Sequence, residues 1–210
     1  MMRQITDEVY LLESTKGAYS YLIKAEEWIL IDTHFSFAKQ ALLKELRDNQ
    51  IELKKIRHII LTHGDMDHMG NVGVLQQLTG ATVWAGSKEI PYIMGQQKRP
   101  GFKKYIAAFM NPKKPMNIKP LQDGDKVCGV EAVETPGHTP GHICLIYKDV
   151  LFTGDLVEER DHLCVPFSVK WNWDTRILFQ SIHKMSSYDF KWVCVAHGEP
   201  LLRDELFDAE

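Results

Sequence analysis

The chain predicts an α/β fold of the α+β kind, with two packed β-sheets and helices on the outside. Three observations lead there. Its two halves share a rhythm: short apolar runs, then an amphipathic helix, then a run that stops at His or Asp. The stretch from Val9 to Ile31 reads as an antiparallel meander. The 210 residues are 44% hydrophobic, which suits one soluble domain with a large core.

The elements follow in order. Val9–Leu12 and Tyr19–Ile23 are β-rich runs separated by the polar turn from Glu13 to Gly17. Trp28–Ile31 is a third strand, ending at Asp32-Thr33. Ser36 then reads as an N-cap. Phe37, Ala41, Leu42 and Leu46 recur at helical spacing, which predicts an amphipathic helix to about Asn49. Ile59-Ile60-Leu61 reads as a buried strand that stops at Thr62 and a polar loop. Gly70-Asn71 loosens the chain before a helix from Val72 to Thr79, with Gly80 as its C-cap. Thr82–Ala85 is another strand.

The segment from Ser87 to Pro120 differs from its surroundings. Its five prolines exclude a long element, leaving short helices at Ser87–Met94 and Phe102–Met110. It carries eight basic residues and one acid, Glu89, on an otherwise acidic chain. It reads as a lid-like basic insertion at about 87–120 within a single domain spanning 1–210. A solvated surface excursion is the alternative.

Lys126–Val133, Ile143–Tyr147 and Val150–Thr153 read as strands, the last two joined through Lys148-Asp149 in a tight hairpin. Asp174–Met185 is a helix with Asp174 as its N-cap. Trp192–Ala196 is a final buried strand that stops at His197-Gly198.

Composition narrows the function classes. The formal charge is −3 and charged residues make up 25%, so nothing at chain level points to nucleic acid. The first ten residues lack the apolar core of a signal peptide, and no run of about 18 apolar residues exists to span a membrane. Four widely spaced cysteines contain no C-x-x-C pair, and Cys128, Cys144 and Cys194 lie in or beside apolar runs. These features predict a cytoplasmic protein in a reducing compartment.

Chemistry concentrates where strands stop. Ile31-Asp32, Leu61-Thr62-His63, Val133 to His138, Phe152 to Asp155 and Val195 to His197 each end an apolar run in a His or an acid. The second of these, I-I-L-T-H-G-D-M-D-H, packs His63, Asp65, Asp67 and His68 into six residues. That density of potential metal ligands exceeds what packing requires, and it reads as half of a metal site at the C-terminal end of a strand.

The order H-x-D-x-D-H, T-P-G-H, T-G-D and A-H-G resembles the metallo-β-lactamase-fold hydrolase superfamily. T-P-G-H-T-P-G-H, Thr135 to His142, is similar to its glyoxalase II and lactonase-like branches. The resemblance implies a four-layer αββα sandwich with a metal site at one edge of the sheets. It implies that His63, Asp65 and His138 bind one ion, that Asp67, His68 and His197 bind a second, and that Asp155 bridges them. It makes Asp32 a support for the ligand loops. It also implies two divalent ions, zinc first, and Asp67 as the catalytic group that handles a proton. His142 begins a strand and reads as a structural neighbour of the site.

One position departs from the family pattern. Most members have His where this chain has Asp65. A carboxylate is harder than imidazole and shifts preference toward iron or manganese. Asp65 reaching away from the metal, leaving one filled site, is the other possibility. The implied activity is hydrolysis of a small ester, thioester or lactone by a metal-bound hydroxide. The partner is then a small molecule, with the basic insertion favouring an anionic one, and neither nucleic acid nor membrane is expected. The alternatives are an iron-dependent oxygen or persulfide oxidoreductase on the same fold, and a metal-binding module without catalysis. His34, Phe167, Trp171 and Trp173 are open between lining the site and packing. Tyr147 and Tyr188 read as core residues, and His58, His162 and His183 as surface or structural ones.

Overall fold

A computed structural model describes residues 2–98 and 112–208. The expected helix at Phe102–Met110 lies outside the described residues, as does part of the basic insertion.

The first sheet follows chain order: β1 (Arg3–Gln4), β2 (Val9–Leu11), β3 (Tyr21–Lys24), β4 (Trp28–Ile31), β5 (Ile56–Leu61), β6 (Thr82–Gly86) and β7 (Lys119–Leu121). β2 to β4 run antiparallel as the predicted meander, β1 pairs antiparallel with β2 at its edge, and β4 to β7 run parallel. Helices α1 (Lys39–Asp48), α2 (Met66–Met69), α3 (Val72–Thr79) and α4 (Ile90–Ile93) fall between these strands. The second half gives β8 (Lys126–Val127), β9 (Val130–Glu134), β10 (Ile143–Tyr147) and β11 (Val150–Gly154). A separate hairpin follows, β12 (Val157–Arg160) and β13 (Leu163–Pro166). Then come α5 (Thr175–Ser186), β14 (Trp192–Val195) and β15 (Leu201–Leu202). The second sheet is ordered β15-β14-β11-β10-β9-β8.

Three apolar clusters stack these layers. Tyr21, Ile23, Ile31 and Ile60 of the first sheet meet Ala132, Leu145, Phe152 and Cys194 of the second. On the outer face of the first sheet, Leu42 and Leu46 of α1 and Val72 and Leu75 of α3 cover Leu30, Ile59 and Leu61. On the outer face of the second, Leu178, Ile182 and Met185 of α5 cover Val133, Leu151 and Val193. Each such side chain taken fully from water contributes roughly 1.5–3 kcal/mol. The result is the expected αββα order. Both sheets run their site-bearing strands toward the same edge, so the residues just past β4, β5, β9, β11 and β14 meet there.

Several local expectations change. Ser36 caps nothing: Ser36–Ala38 is a 3₁₀ turn, and α1 starts after Ala38 without a side-chain cap. Asn71 Nδ2 donates to the carbonyls of Thr33 (2.7 Å) and Phe35 (2.8 Å), which holds this stretch as a link between β4 and α1. Phe37 therefore points outward and is 76% exposed. Lys126–Val133 is two strands, because Cys128 and Gly129 turn back with φ of 46° and 83°. That turn leaves Cys128 half-buried, while Cys164 is buried. The β12–β13 hairpin and the edge strands β1 and β15 carry too little apolar pattern to be read in advance. The described ends of the basic insertion are fastened to the body. Lys113 Nζ donates to Gln77 of α3 (2.5 Å), the amide of Met116 donates to Gln76 Oε1 (2.7 Å), and Pro120 sits in the edge strand β7.

Candidate metal centre

His63 and Asp65 leave β5 in an extended loop, and Asp67 and His68 follow on the short helix α2. The polar cluster is thus part loop and part helix. His138 lies beyond β9, Asp155 directly after β11, and His197 beyond β14. Gly154 has φ +48°, and a Cβ there would lie 2.7 Å from Thr62 Oγ1 and 2.8 Å from His142 Nε2. Only glycine lets β11 deliver Asp155 at this spot.

The structure brings all seven predicted ligand residues together in two groups. His63, Asp65, His138 and Asp155 form one, and Asp67, His68 and His197 the other. Asp155 faces both. Its Oδ2 is 3.2 Å from His138 Nε2 and 3.7 Å from His63 Nε2, and its Oδ1 is 3.1 Å from His68 Nε2 and 3.3 Å from His197 Nε2. Asp65 points inward, with Oδ2 3.1 Å from His138 Nε2. Asp67 Oδ2 is 3.4 Å from His197 Nε2 and 3.8 Å from His68 Nε2.

These atoms are buried yet poorly satisfied. His63 Nε2, His68 Nε2, His197 Nε2 and Asp155 Oδ1 have no aligned hydrogen-bond partner. Leaving such groups unpaired costs about 1–3 kcal/mol each. The other ring nitrogens explain their orientation. His68 Nδ1–H donates to Asp32 Oδ2 (2.8 Å), and His138 Nδ1–H donates to Asn172 Oδ1 (3.1 Å). The Asn172 amide is oriented by its own donation to the Phe167 carbonyl (3.1 Å). His63 Nδ1 meets the Thr62 hydroxyl (3.1 Å), whose proton goes to Asp32 (2.7 Å). With Nδ1 donating, each ring, once a cation displaces any second proton, turns an Nε2 lone pair toward the same space. That is the tautomer a metal-ligating histidine needs. The residues fit divalent cations.

The charges agree. Burial resists charging His68, but Asp155, Asp32 and Asp67 outweigh it and hold its pKa well above the usual imidazole value. Burial likewise resists charge on His197, yet Asp155 and Asp67 push it up to about 10. Burial opposes ionisation of Asp155, but His197, His68, His138 and His63 hold its pKa well below the carboxylate range. Burial and the neighbouring His68 hold His63 well below the usual imidazole value, so positive charge gathers on the His68 and His197 side.

Asp32 and His142 touch the site from behind. Asp32 accepts from the amide (2.9 Å) and hydroxyl (2.7 Å) of Thr62 and from His68. His142 lies outside both ligand groups. Its Nε2 accepts the Asp155 amide (3.1 Å), and burial and the neighbouring His138 lower its pKa to about 3, so it is a neutral acceptor. His34 is buried, with Nδ1 3.1 Å from the Ala18 carbonyl.

A cavity of about 530 Å³ opens onto the two groups. Phe35, Met66, Phe167 and Trp171 give it apolar walls, and Arg160, Lys170 and Glu158 add charge. Phe167 packs edge-on to His138, with ring centres 4.7 Å apart. Trp173 is absent from its described lining, as are Tyr147 and Tyr188. Among the described residues, none of the lining comes from the basic insertion; its cations come from the β12–β13 hairpin and the turn after it. Glu89 is the residue the sequence reading passed over. It is 1% exposed and accepts hydrogen bonds from the loops that carry His63 and His138. Its one trace in the sequence is that it is the lone acid of the basic segment.

A third group, Glu27, His58 and Cys128, lies at the other end of the sandwich, where β4, β5 and β9 begin. The Trp84 indole N–H donates to His58 Nδ1 (3.1 Å), which leaves the proton on Nε2, and Nε2 meets Glu27 Oε2 (2.8 Å). An indole N–H only donates, so this ring has no lone pair left for a cation.

Comparison with known proteins agrees with this geometry. The profile of the metallo-beta-lactamase superfamily matches residues 15–197. "Probable metallo-hydrolase YflN" of Bacillus subtilis is 27% identical over 92% of this chain and 81% of its own length. "Hydroxyacylglutathione hydrolase GloC" of Haemophilus influenzae is 33% identical over 56% of each chain. The crystal structure of TTHA1623 in a di-iron-bound form superposes with a TM-score of 0.70 at 23% identity, covering 88% of this chain and 89% of that one. The strand-end ligands, the αββα layers and the matching profile place this chain in the metallo-beta-lactamase superfamily, as a metallo-hydrolase.

Proposed function

We propose that this metallo-hydrolase holds two divalent ions and cleaves a small ester, thioester or lactone bearing an anionic group. One observation carries the reading. His63 Nε2, His68 Nε2, His197 Nε2 and Asp155 Oδ1 are buried without aligned hydrogen-bond partners and converge with the other ligand residues on one floor, beneath an open cavity. His63, Asp65 and His138 would hold one ion, and Asp67, His68 and His197 the other, with one Asp155 oxygen toward each. Zinc is our first assignment. Asp65 keeps iron and manganese open, because a carboxylate is a harder ligand than imidazole.

Bound ions of this kind lower the pKa of water from 15.7 to about 7 and so supply the nucleophile at neutral pH. The chain's own residues do the rest. Asp67, less buried than Asp155 and beside His197, would take up and return a proton through the carboxylate oxygen that does not hold the ion. Phe35, Phe167 and Trp171 exclude water and hold an apolar portion of the substrate. Arg160, which pairs with Glu158, and Lys170 orient its anionic group. The likeness to a hydroxyacylglutathione hydrolase supports the thioester branch. The four free thiols suit the cytoplasm.

Metal analysis followed by a panel of model esters, thioesters and lactones tests this. Two ions per chain are expected, with hydrolysis abolished by chelation and lowered roughly 100-fold or more by Asp67→Ala. Asp65 also favours a second reading, an iron oxidoreductase. One bound iron with oxygen uptake and no hydrolysis would replace the first reading with the second.

A further inference from the structure

Glu89 lies just ahead of α4, where the chain leaves β6 for the basic insertion. A buried carboxylate is costly unless hydrogen bonds compensate it. Here the donors come from two distant loops. The Gly64 amide donates to Oε1 (3.0 Å). The Thr139 hydroxyl (2.8 Å) and the Gly141 amide (3.0 Å) donate to Oε2. Gly64 stands between His63 and Asp65, and Thr139 follows His138. The backbones are equally close, since a Cβ on Gly141 would lie 2.2 Å from the Glu89 nitrogen.

The second ligand group is held by other residues. Asp32 fixes the His68 ring at 2.8 Å, and the His68 carbonyl accepts from the Thr33 amide at 2.6 Å. The His197 carbonyl accepts from the Glu159 amide at 2.9 Å. None of the hydrogen bonds described above joins Glu89 to Asp67, His68 or His197.

We infer that Glu89 is a positioning residue for one of the two metal groups only, clamping the His63–Asp65 loop to the His138 loop. This rests on the metal reading above. Glu89→Gln keeps the shape but not the acceptors. Whichever way the amide faces, its NH₂ meets an N–H donor, so at least one clamp bond is lost.

The test titrates Co²⁺ into folded protein and follows its visible absorption, in two backgrounds. His197→Ala leaves the His63 group to bind, and His138→Ala leaves the His68 group. In the first, Glu89→Gln is expected to weaken Co²⁺ binding about 10- to 100-fold, the usual range for a lost support behind a ligand. In the second, affinity stays within about twofold by the same reasoning. Thr139→Val removes one clamp bond with little change in volume and gives a smaller effect of the same selectivity. Equal weakening in both backgrounds overturns the inference, because Glu89 then supports the fold in general. So does no change in either. If wild-type protein takes up no Co²⁺, the metal reading itself fails and takes the clamp with it.

Discussion

His142 Nε2 accepts a hydrogen bond from the backbone amide of Asp155 at 3.1 Å. The ring holds the peptide whose carboxylate faces both ligand groups, while Nδ1 lies 3.1 Å from the Thr135 carbonyl. Replacing His142 by Ala leaves the buried Asp155 amide unpaired, at about 1–3 kcal/mol before any cavity cost. His142→Gln, which keeps an acceptor, should recover part of that loss. Urea denaturation of the three proteins measures both.

Gly154→Ala is a sharper disturbance. The new methyl would lie 2.7 Å from Thr62 Oγ1 at a backbone angle of φ +48°. We expect a loss of at least about 2 kcal/mol from crowding and strain. Metal content should fall with it, since Thr62 and His142 both support ligands. Denaturation and metal analysis of the same preparation check the pair.

Removing metal should destabilise the protein. Three carboxylates and four imidazoles then face one another without a cation, and His63 Nε2, His68 Nε2 and His197 Nε2 lack aligned partners. A ligand present at a hundred times its Kd adds about 2.7 kcal/mol of stability. The melting temperature should drop with chelator and climb with added zinc or manganese. A flat response across metal concentrations would argue against both ligand groups.

Asp65→His should change metal choice. The carboxylate lies 3.1 Å from His138 Nε2 and 3.6 Å from His63 Nε2. Imidazole there is softer and neutral, so zinc should gain on iron and manganese in competition. Metal content after growth on mixed metals reads the ratio in both proteins.

The thiols give a pH-dependent prediction away from the site. Burial pushes Cys144 up to about 12, and burial lifts Cys164 and Cys194 further. Burial, with Glu27 and Glu26 nearby, raises Cys128 too, but it is half-exposed at its turn. A thiol reacts as its thiolate, so below its pKa the rate rises about tenfold per pH unit. Native protein should label slowly and at Cys128 alone between pH 7 and 9, faster toward pH 9. Denatured protein should label at all four, as counted by mass spectrometry.

The sequence by itself determined the layered rhythm and the strand ends at which His and Asp collect, and the resemblance carried by its motifs implied that seven of these residues meet at one edge. The rhythm and the strand ends are local patterns. An apolar run that stops in a turn and a His or Asp is visible within six residues, and the chain makes five such stops in order. Helical spacing exposed α3 and α5 for the same reason. Only the tertiary structure decided what holds those residues. Glu89 reads as one acid among lysines until the loops carrying Gly64, Thr139 and Gly141 close around it. Phe37 has the spacing of a core residue, yet the link fixed by Asn71 turns it outward. Cys128 belongs to an apolar run, yet the turn leaves it only half-buried. Arg160 reaches the cavity from a hairpin whose strands carry almost no pattern, and Lys170 from the turn after it. For Glu89 and Phe37 the deciding contact joins residues far apart in the chain. Periodicity records which face of an element is apolar, and it carries no record of which distant group will meet it.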